Sequence, residues 1–240
     1  MSAGFFVTGT DTEVGKTLVS GALILKMRSQ GINAIGFKPV VAGTYVNDKG
    51  IVLNEDLETL RIASNLTLGQ MDLCPYILDM PAAPHLAAKK IGECLDMDLI
   101  MQAFGNLKNK ADAIVAEGAG GFLIPLNKTQ NQADIAKEMG LPIILVVGMK
   151  LGCLNHALLT YEAIASRKCN LAGWVANVPS DEMPLLQENI ETLKERIAAP
   201  FLGLVPELPM RLHKLNNAPY SIDALKFAAQ HIQLPELKPA

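Results

Sequence analysis

The amino-acid sequence predicts an α/β fold in which a mostly parallel sheet carries helices on both faces. Short apolar, β-branched runs recur along the chain, and segments of helical periodicity separate them. Of the 240 residues, 50% are hydrophobic and 19% are charged, which is typical of a globular protein. The length indicates one domain over 1–240, with a partly irregular C-terminal tail over 206–240.

Near-continuous apolar runs of four to eight residues are typical of strands buried on both faces of a sheet. The predicted strands are Gly4–Thr8, Asn33–Lys38, Asp112–Glu117, Pro142–Val147, Leu171–Asn177 and Pro200–Val205. The predicted helices are Lys16–Gln30, Glu55–Ser64, Asp98–Asn109, Asn131–Met139, Asn155–Lys168, Leu185–Ile197 and Ser221–Gln230. The proline-rich segment Cys74–Pro84 predicts a loop, and the repeated prolines after Val205 predict irregular structure around the last helix.

Composition excludes several classes of protein. Lys and Arg total 21 against 24 Asp and Glu, so a net charge of −3 offers no general attraction to nucleic acid or to an anionic membrane. The longest apolar run, Leu141–Met149, contains Pro142 and Gly148 and is too short to span a bilayer. The N-terminus lacks the pattern of a secretion signal, and the four cysteines form no C-x-x-C pair. We expect a cytoplasmic protein with neither nucleic-acid nor membrane partners.

The strongest motif is Gly9–Thr17, with the sequence GTDTEVGKT, between the first strand and the first helix. Glycines let backbone amides curl around phosphate oxygens, and a helix N-terminus favours negative charge. Lys16 would reach the β- and γ-phosphates of a nucleotide, and the Thr17 hydroxyl would bind Mg²⁺. Five residues rather than four separate Gly9 from Gly15, so the loop is a variant. The motif predicts a P-loop NTPase-type fold; the alternative is an ordinary glycine turn.

Acids at two places would complete a metal site with Thr17. Glu117 ends a predicted strand and leads into the glycine-rich stretch 118–121, which can approach a ligand closely. Asp56 begins a predicted helix, where capping the helix is the alternative explanation. Thr17, Asp56 and Glu117 together would suit Mg²⁺, which prefers hard oxygen ligands supplemented by phosphate and water.

Three further positions lie at predicted strand ends. Lys38 could neutralise charge on a transferring phosphoryl group, or it could be a solvated lysine. The segment Lys150–His156 runs into a helix whose first amides could hold a carboxylate, or Asn155 could simply cap that helix. Asn177 could bind the edge of an adenine through its amide, or it could be a turn residue.

Together these motifs resemble the dethiobiotin synthetase family. The blocks that carry the resemblance are 8–17 (TGTDTEVGKT), 38–40 (KPV), 117–121 (EGAGG), 142–148 (PIILVVG), 150–157 (KLGCLNHA) and 171–177 (LAGWVAN). They occur in the family's order and cover roughly residues 4–206. A phosphate loop alone would say little about the substrate, whereas the full set is specific.

The resemblance implies a homodimeric, ATP-dependent cyclo-ligase with Mg²⁺ as cofactor. Its substrates would be 7,8-diaminononanoate (diaminopelargonic acid), CO₂ and ATP. One amine takes up CO₂ as a carbamate, ATP converts the carbamate to a carbamic–phosphoric anhydride, and the second amine closes the ring of dethiobiotin. Phosphate and ADP leave.

The resemblance also implies the site residues. The catalytic residues would be Lys38, Lys16 and Thr12. Nucleotide would be bound by Glu13, Val14, Gly15, Lys16, Thr17, Glu117, Gly118, Ala119, Gly120, Asn177, Pro206 and Leu208. The substrate would be bound by Thr12, Thr44, Gly152, Cys153, Leu154 and Asn155, and the metal by Thr17, Asp56 and Glu117. Residues 152–155 would receive the substrate's carboxylate, with Asn155 acting across the dimer interface.

The chain departs from the family pattern at two places, and other functions compete. Ala42 replaces a frequent serine, for which Thr44 would compensate, and Val178 replaces a frequent aspartate. A partitioning-type switch ATPase would carry an additional lysine early in the phosphate loop, where this chain has Thr10 and Asp11. A small-molecule kinase would close an arginine-rich lid, but the arginines here are few and scattered. A ligase of the cobyrinic acid synthase type would also need a glutaminase domain, for which we expect no room in 240 residues.

Overall fold

The computed structural model describes residues 3–64, 69–179 and 183–235. In this part of the chain, the strands are β1 (Ala3–Gly9), β2 (Ala34–Phe37), β3 (Val40–Ala42), β4 (Tyr45–Val46), β5 (Val52–Leu53), β6 (Tyr76–Leu78), β7 (Ala113–Gly121), β8 (Ile143–Gly148), β9 (Leu171–Asn177) and β10 (Phe201–Val205). A six-stranded sheet in the order β10-β9-β8-β1-β7-β2 forms the centre, and all of its neighbours are parallel. The fold class predicted from the sequence is confirmed.

The first strand lies inside the sheet, between β7 and β8. Val7 is paired with Glu117 of β7 on one side and with Ile144 of β8 on the other. Phe5, Phe6 and Val7 are each no more than 1% exposed, because helices cover both faces of the sheet. Parallel strands place their carboxyl ends at one edge, so the turn after β1 meets the ends of its neighbours there.

All of the predicted strands are present, but the end assigned to the third one was wrong. The prediction stopped at Glu117 and treated 118–121 as a loop, whereas β7 continues to Gly121. Gly121 pairs with Gly9 across a register shift that follows Val7. The glycines of 118–121 thus belong to the sheet edge beside the phosphate loop.

Among the helices of the described residues, the two short ones between residues 70 and 90 were not predicted, and the others follow the order that the sequence predicts. Their bounds are α1 (Lys16–Ser29), α2 (Glu55–Ala63), α3 (Gln70–Leu73), α4 (Pro84–Lys90), α5 (Met97–Lys108), α6 (Gln132–Met139), α7 (Cys153–Ser166), α8 (Leu186–Arg196) and α9 (Ile222–Gln230), with a 3₁₀ turn at Met210–Leu212. Helix α7 begins at Cys153 after Gly152, whose φ is 94°, so Asn155 lies inside the helix and the capping alternative for it was wrong.

Two small sheets were not predicted. Strands β3 and β6 pair in parallel through Val40 and Tyr76, and β4 and β5 pair antiparallel through Tyr45 and Leu53. These strands have only two or three residues, so their sequences carry no periodicity to detect. Their pairing brings residues 40–45 beside residues 81–84, and the predicted loop Cys74–Pro84 therefore contains a strand and the first residue of α4.

The tail folds back onto the first helix. Helix α9 confirms the predicted C-terminal helix, and its Leu225 packs against Gly21 of α1. The Lys26 ammonium of α1 donates a hydrogen bond of 3.0 Å to the carbonyl of Ala229. Between β10 and α9 the backbone is irregular apart from the 3₁₀ turn, as the prolines predict.

Two further features concern the protein's surroundings. Across residues 3–64, 69–179 and 183–235, no helix combines the length and apolar character needed to cross a bilayer. All four cysteines are free: Cys74 and Cys153 are buried, Cys169 is half-buried and Cys94 is exposed.

Candidate active site

A cavity of about 1040 Å³ lies at the carboxyl edge of the central sheet. Its walls come from the turn before α1, the ends of β2 and β9, segments 40–45 and 81–84, the start of α2 and parts of the tail. Twelve predicted residues line it, namely Thr12, Glu13, Gly15, Lys16, Thr17, Lys38, Thr44, Asp56, Ala119, Gly120, Asn177 and Leu208. The cavity has the size of a site for a nucleotide-sized ligand.

The turn between β1 and α1 has the conformation of a phosphate-binding loop. Glu13 and Gly15 both adopt left-handed backbone conformations, with φ of 59° and 91°. A Cβ at Gly9 would run into the side chains of Val14 and Lys16, so that glycine lets the loop close on itself. Val14 is buried and packs beneath the loop, and its backbone rather than its side chain is available to a ligand.

Lys16 presents a buried cation with no carboxylate partner. Its ammonium donates a hydrogen bond of 2.8 Å to the carbonyl of Asp11, and no carboxylate of the described residues forms an ion pair with it. Burial, followed by the nearby charge of Lys38, lowers the pKa of Lys16 to about 8. A buried ammonium without an ion-pair partner at a helix N-terminus has the character of a phosphate-binding group.

Three oxygens converge at the start of α1. The Thr17 hydroxyl lies 2.8 Å from Oδ1 of Asp56 and 2.7 Å from Oε1 of Glu117. A hydroxyl carries one hydrogen and can donate it to only one of these carboxylates. The other carboxylate oxygen therefore faces an oxygen lone pair, and a cation between the three would relieve that contact. Oε2 of Glu117 is also buried without a hydrogen-bond partner.

This donor set fits Mg²⁺. Two carboxylates and a hydroxyl are hard oxygen ligands, and the adjoining cavity leaves room for phosphate oxygens and water. Within the part of the chain that the structure describes, no group of three or more His, Cys, Asp or Glu residues forms an all-protein metal site. A magnesium ion held here would depend on a ligand for the rest of its coordination.

Lys38 joins the two carboxylates from the end of β2. Its ammonium lies 2.8 Å from Oδ2 of Asp56 and 2.6 Å from Oε1 of Glu117, and the residue is 2% exposed. Burial opposes the charge of Lys38, but the two carboxylates outweigh it and raise its pKa above the ordinary value. Burial likewise opposes the charge of Asp56, yet Lys38 and Thr17 lower its pKa to about 2. The solvated-lysine alternative for Lys38 was wrong.

Capping does not explain Asp56 either. Asn54 caps α2, since its side chain accepts a hydrogen bond of 3.1 Å from the amide of Leu57. Asp56 is thereby free to turn toward Thr17 and Lys38. One turn of helix supplies both the cap and the acid of the site.

The glycine-rich end of β7 is held from behind by Gln132, a residue that the sequence analysis missed. The amide of Ala119 donates to Oε1 of Gln132, whose Nε2 donates at 2.8 Å to the carbonyl of Gly121. Gly118 faces this glutamine, since a Cβ there would overlap its side chain, and it does not line the cavity. Ala119 and Gly120 do line it.

Asn177 links β9 to the phosphate loop. Its Nδ2 donates a hydrogen bond of 3.0 Å to the carbonyl of Val14, so this half of the amide is already used. Oδ1 of Asn177 is buried without a partner, and the residue lines the cavity beside Val178 and Leu208. Pro206 instead borders a neighbouring apolar cavity of about 740 Å³.

The opposite side of the cavity contains the region of Ala42. Ala42 and Thr44 face segment 81–84, none of whose residues the sequence analysis singled out as site residues. The Thr44 hydroxyl donates a hydrogen bond of 2.9 Å to Oδ1 of Asp79. With its hydrogen engaged in this way, the oxygen of Thr44 can still accept a hydrogen bond from a ligand N–H.

The predicted carboxylate-binding segment starts beside the phosphate loop, where the Lys150 ammonium lies 3.6 Å from Oδ2 of Asp11, but it lies outside the cavity. None of Gly152, Cys153, Leu154 and Asn155 lines the cavity of its own chain. Gly152 and Asn155 are exposed, and neighbouring Leu151 is 96% exposed. The structure thus brings together the predicted phosphate and metal residues but leaves residues 152–155 outside the cavity.

Comparison with known proteins assigns the family. The sequence model of one family, described as an AAA domain, matches residues 3–212. The chain is 48% identical to the ATP-dependent dethiobiotin synthetase BioD of Ralstonia nicotianae over 85% of this chain and 89% of that protein. It is 50% identical to the BioD of Aromatoleum aromaticum, over 85% and 90% of the two chains. The chain belongs to the dethiobiotin synthetase family. The predicted resemblance and the prediction of an enzyme of this family are confirmed.

Solved structures share the fold with little sequence identity. MinD of Pyrococcus horikoshii, a septum site-determining protein complexed with Mg-ADP, gives a TM-score of 0.57 at 16% identity over 96% of this chain and 95% of that one. The cell division ATPase MinD of Pyrococcus furiosus gives 0.55 at 20% identity, over 96% and 98%. A ParA family ATPase of Chlorobium tepidum gives 0.51 at 11%, over 96% and 90%. At such identities, these likenesses show the P-loop fold alone.

Proposed function

We propose that this protein catalyses ATP-dependent closure of a cyclic urea, forming dethiobiotin from 7,8-diaminononanoate and CO₂. The observation that carries the proposal is the buried convergence of Lys38, Asp56, Glu117 and Thr17 beside the phosphate loop, in a chain at least 45% identical to dethiobiotin synthetases. Phosphoryl-transfer chemistry needs this combination of cations and hard oxygens.

The reaction balances without a protein nucleophile. One amine adds to CO₂ and loses a proton, giving a carbamate. A carbamate oxygen attacks the γ-phosphorus of ATP, forming a carbamic–phosphoric anhydride and releasing ADP. The second amine attacks the carbonyl carbon, loses a proton and expels phosphate. Phosphorylation is required because a carbamate oxygen is otherwise a poor leaving group.

The residues of the phosphate end act by charge and position. Lys16, the buried cation without a carboxylate partner, binds the β- and γ-phosphates, while the backbone of 13–15 surrounds them. Lys38 stabilises negative charge that develops on the transferring group. Thr12 lies on the exposed rim of the loop, where the carbamate would approach. Mg²⁺, held by Thr17, Asp56 and Glu117, would supply Lewis-acid stabilisation of the phosphate charge.

The base of ATP would lie along Asn177 and Leu208. The unpartnered Oδ1 of Asn177 can accept a hydrogen bond from an exocyclic amine, which adenine has and guanine lacks at the matching position. The backbone of Glu117–Gly120 would border the nucleotide, and Pro206 would contribute from the adjoining apolar cavity. Thr44 would meet an amine of the substrate.

The carboxylate of the substrate would be bound by a second copy of the chain. Gly152 and Asn155 are exposed at the start of α7 and do not line the cavity of their own chain. In a two-fold symmetric homodimer the same segment of each subunit can complete the other's site. We therefore propose a homodimer with Asn155 acting across its interface, operating in the cytoplasm.

The rival proposal, a partitioning-type switch ATPase, shares the fold but not the chemistry. Its support is the likeness to MinD and ParA proteins at 20% identity or less. The phosphate loop has Thr10 and Asp11 where those switches place an additional lysine. A biosynthetic substrate is the better reading of the family membership.

An end-point assay tests the proposal. Purified protein is incubated with MgATP, bicarbonate and diaminopelargonic acid, and both released phosphate and the mass of the organic product are measured. We expect a product heavier by one carbonyl and lighter by two hydrogens, formed one-for-one with phosphate. Phosphate release that does not depend on the diamine would contradict the ligase and favour the switch.

A further inference from the structure

The tail contributes to the cavity beyond the residues that the family model matches. That match ends at residue 212, yet His213, Lys214, Asn217 and Tyr220 all line the cavity. We refer to residues 206–220 as the strap. The strap connects β10 to α9 and reaches the same cavity as the phosphate loop.

The C-terminal end of the strap is fixed to the helices that carry the site. The amide of Tyr220 donates a hydrogen bond of 3.0 Å to the hydroxyl of Thr59 on α2. Helix α9, which follows at once, packs on α1 through Leu225. Helices α1 and α2 provide Thr17 and Asp56, so the position of the strap is tied to the site itself.

The middle of the strap is held more weakly. Its backbone hydrogen bonds between residues 209 and 218 are local ones, such as that from the amide of Ala218 to the carbonyl of Leu215. Between residues 213 and 219, the described polar contact with another element is the ion pair of Lys214 and Glu55, whose atoms lie 2.7 Å apart. The Lys214 ammonium also lies 5.4 Å from the ring centre of Tyr220.

We propose that Lys214 is a nucleotide-positioning residue: its ion pair with Glu55 holds the strap across the cavity and slows the release of nucleotide. Glu55 is the residue before Asp56, so the pair joins the strap to the turn of helix that faces the phosphates. This inference rests on the proposed function only in that the cavity binds nucleotide.

The size of the effect follows from exposure. Both side chains of the pair are 33% exposed, and exposed pairs are worth little because water screens them. We expect Lys214→Ala to accelerate nucleotide release about two- to fivefold. The strap's apolar contacts through Leu208 and Leu212 remain in the variant, so the loss is partial.

The experiment is stopped-flow release of a fluorescent ATP analogue from the full chain with Mg²⁺ and without the diamine. The variants are Lys214→Ala, Glu55→Gln and the double variant. If the pair acts as a unit, each single variant releases nucleotide faster and the double variant releases it no faster than either. Lys226→Ala is the matched control, because Lys226 pairs with Asp223 on α9, at 3.9 Å, and does not line the cavity.

Measuring the rate of nucleotide release at different ionic strengths gives a second test of the proposal. The difference between Lys214→Ala and the unmodified chain should shrink at high salt, since screening weakens an exposed pair. An unchanged release rate in Lys214→Ala, or single effects that add in the double variant, would overturn the proposal. If nucleotide release behaves as expected while ring closure is absent, the proposed ligase fails and the strap stands. If ring closure is normal and Lys214→Ala releases nucleotide at the unchanged rate, the proposed ligase stands and the proposal about the strap fails.

Discussion

The phosphate end of the cavity and the start of α7 contrast in every physical respect. At the phosphate end, Lys38 and Glu117 are 2% and 0% exposed, and the ammonium of Lys38 pairs with carboxylates from two distant parts of the chain. At the start of α7, Gly152 and Asn155 lie at the surface with no part in the cavity.

The contrast teaches which part of the site one chain can complete. Buried charges must be paired within the fold, because an unpaired charge in the interior is very costly. Lys38, Asp56 and Glu117 therefore pair with one another when the chain folds, whereas the ammonium of Lys16 stays available to a ligand. Exposed residues at a helix start, such as Gly152 and Asn155, carry no such requirement and can be completed by a second copy of the chain.

The largest effect should come from a substitution that removes the buried ion pairs at the phosphate end of the cavity. Lys38→Met would leave Asp56 and Glu117 side by side without their cation, and we expect a loss of about 3 kcal/mol in the free energy of unfolding. Turnover should fall by at least about a hundredfold, since a charge-stabilising group is removed. Chemical denaturation and the ring-closure assay measure the two effects.

Magnesium sharpens this test. The two freed carboxylates should attract the ion, so Mg²⁺ should raise the melting temperature of Lys38→Met more than that of the unmodified chain. Lys90→Met, at an exposed position on α4, is the control for removing a lysine. Equal stability of Lys38→Met and this control would disprove the buried pairing.

The exposed end is tested by mixing subunits. Lys16→Ala and Asn155→Ala are each expected to lose most activity in the ring-closure assay. If Asn155 serves the partner's site, a mixed dimer keeps one intact site, and random mixing should recover about a quarter of full activity. A mixture as inactive as its components would show that Asn155 acts within its own chain, and an active Asn155→Ala variant would show that it takes no part.

The pH dependence separates the charge of Lys16 from its packing. Its pKa is lowered from 10.5 to about 8, so nucleotide affinity should fall roughly tenfold or more between pH 7.5 and 9.5 as the ammonium loses its proton. Over the interval from about 8 to 10.5, the unfolded chain binds more protons at this group than the folded one. The contribution of Lys16 to stability should therefore rise with pH while affinity falls.

Equilibrium titration of ATP at several pH values measures this decline in affinity. Lys16→Arg is the control, because a guanidinium stays charged throughout the range and should flatten the profile. A profile of the same shape in Lys16→Arg would assign the titration to another group.

The smallest effect concerns Thr44 near Ala42. Thr44→Val should raise the KM for the diamine about two- to tenfold, the value of one hydrogen bond, with little change in kcat. Thr44→Ser keeps the hydroxyl that Asp79 orients and should behave as the unmodified chain does. A KM that does not distinguish the two variants would exclude Thr44 from substrate binding.

The sequence predicts local features of the site well and distant pairings poorly. Lys16 and Thr17 were found because a strand, a glycine-rich turn and a helix follow one another along the chain. The predicted strand ends and helix start indicated Lys38, Asp56 and Glu117 as candidate site residues. Their mutual distances could not be predicted, because they depend on how the elements pack.

Other residues gave no signal at all. Gln132 lies within an ordinary helix start, and only the fold sets it behind Gly118. The residues of the strap that line the cavity come from an irregular tail without periodicity. Strands β3 to β6 are too short for their sequences to show a periodicity. The segment 150–156 was identified from its place before a helix, only the family resemblance assigned residues 152–155 to the substrate's carboxylate, and that role stays a prediction.

The close approach of Gly15 and Asn177 restricts the substitutions that either position can accept. A side chain at position 15 would strike the amide of Asn177 and would also have to adopt a φ of 91°. A smaller residue would have to replace Asn177 before position 15 could carry a side chain. That replacement would already remove the hydrogen bond from Asn177 to the carbonyl of Val14. Each single step is disfavoured, so the two positions can change only together.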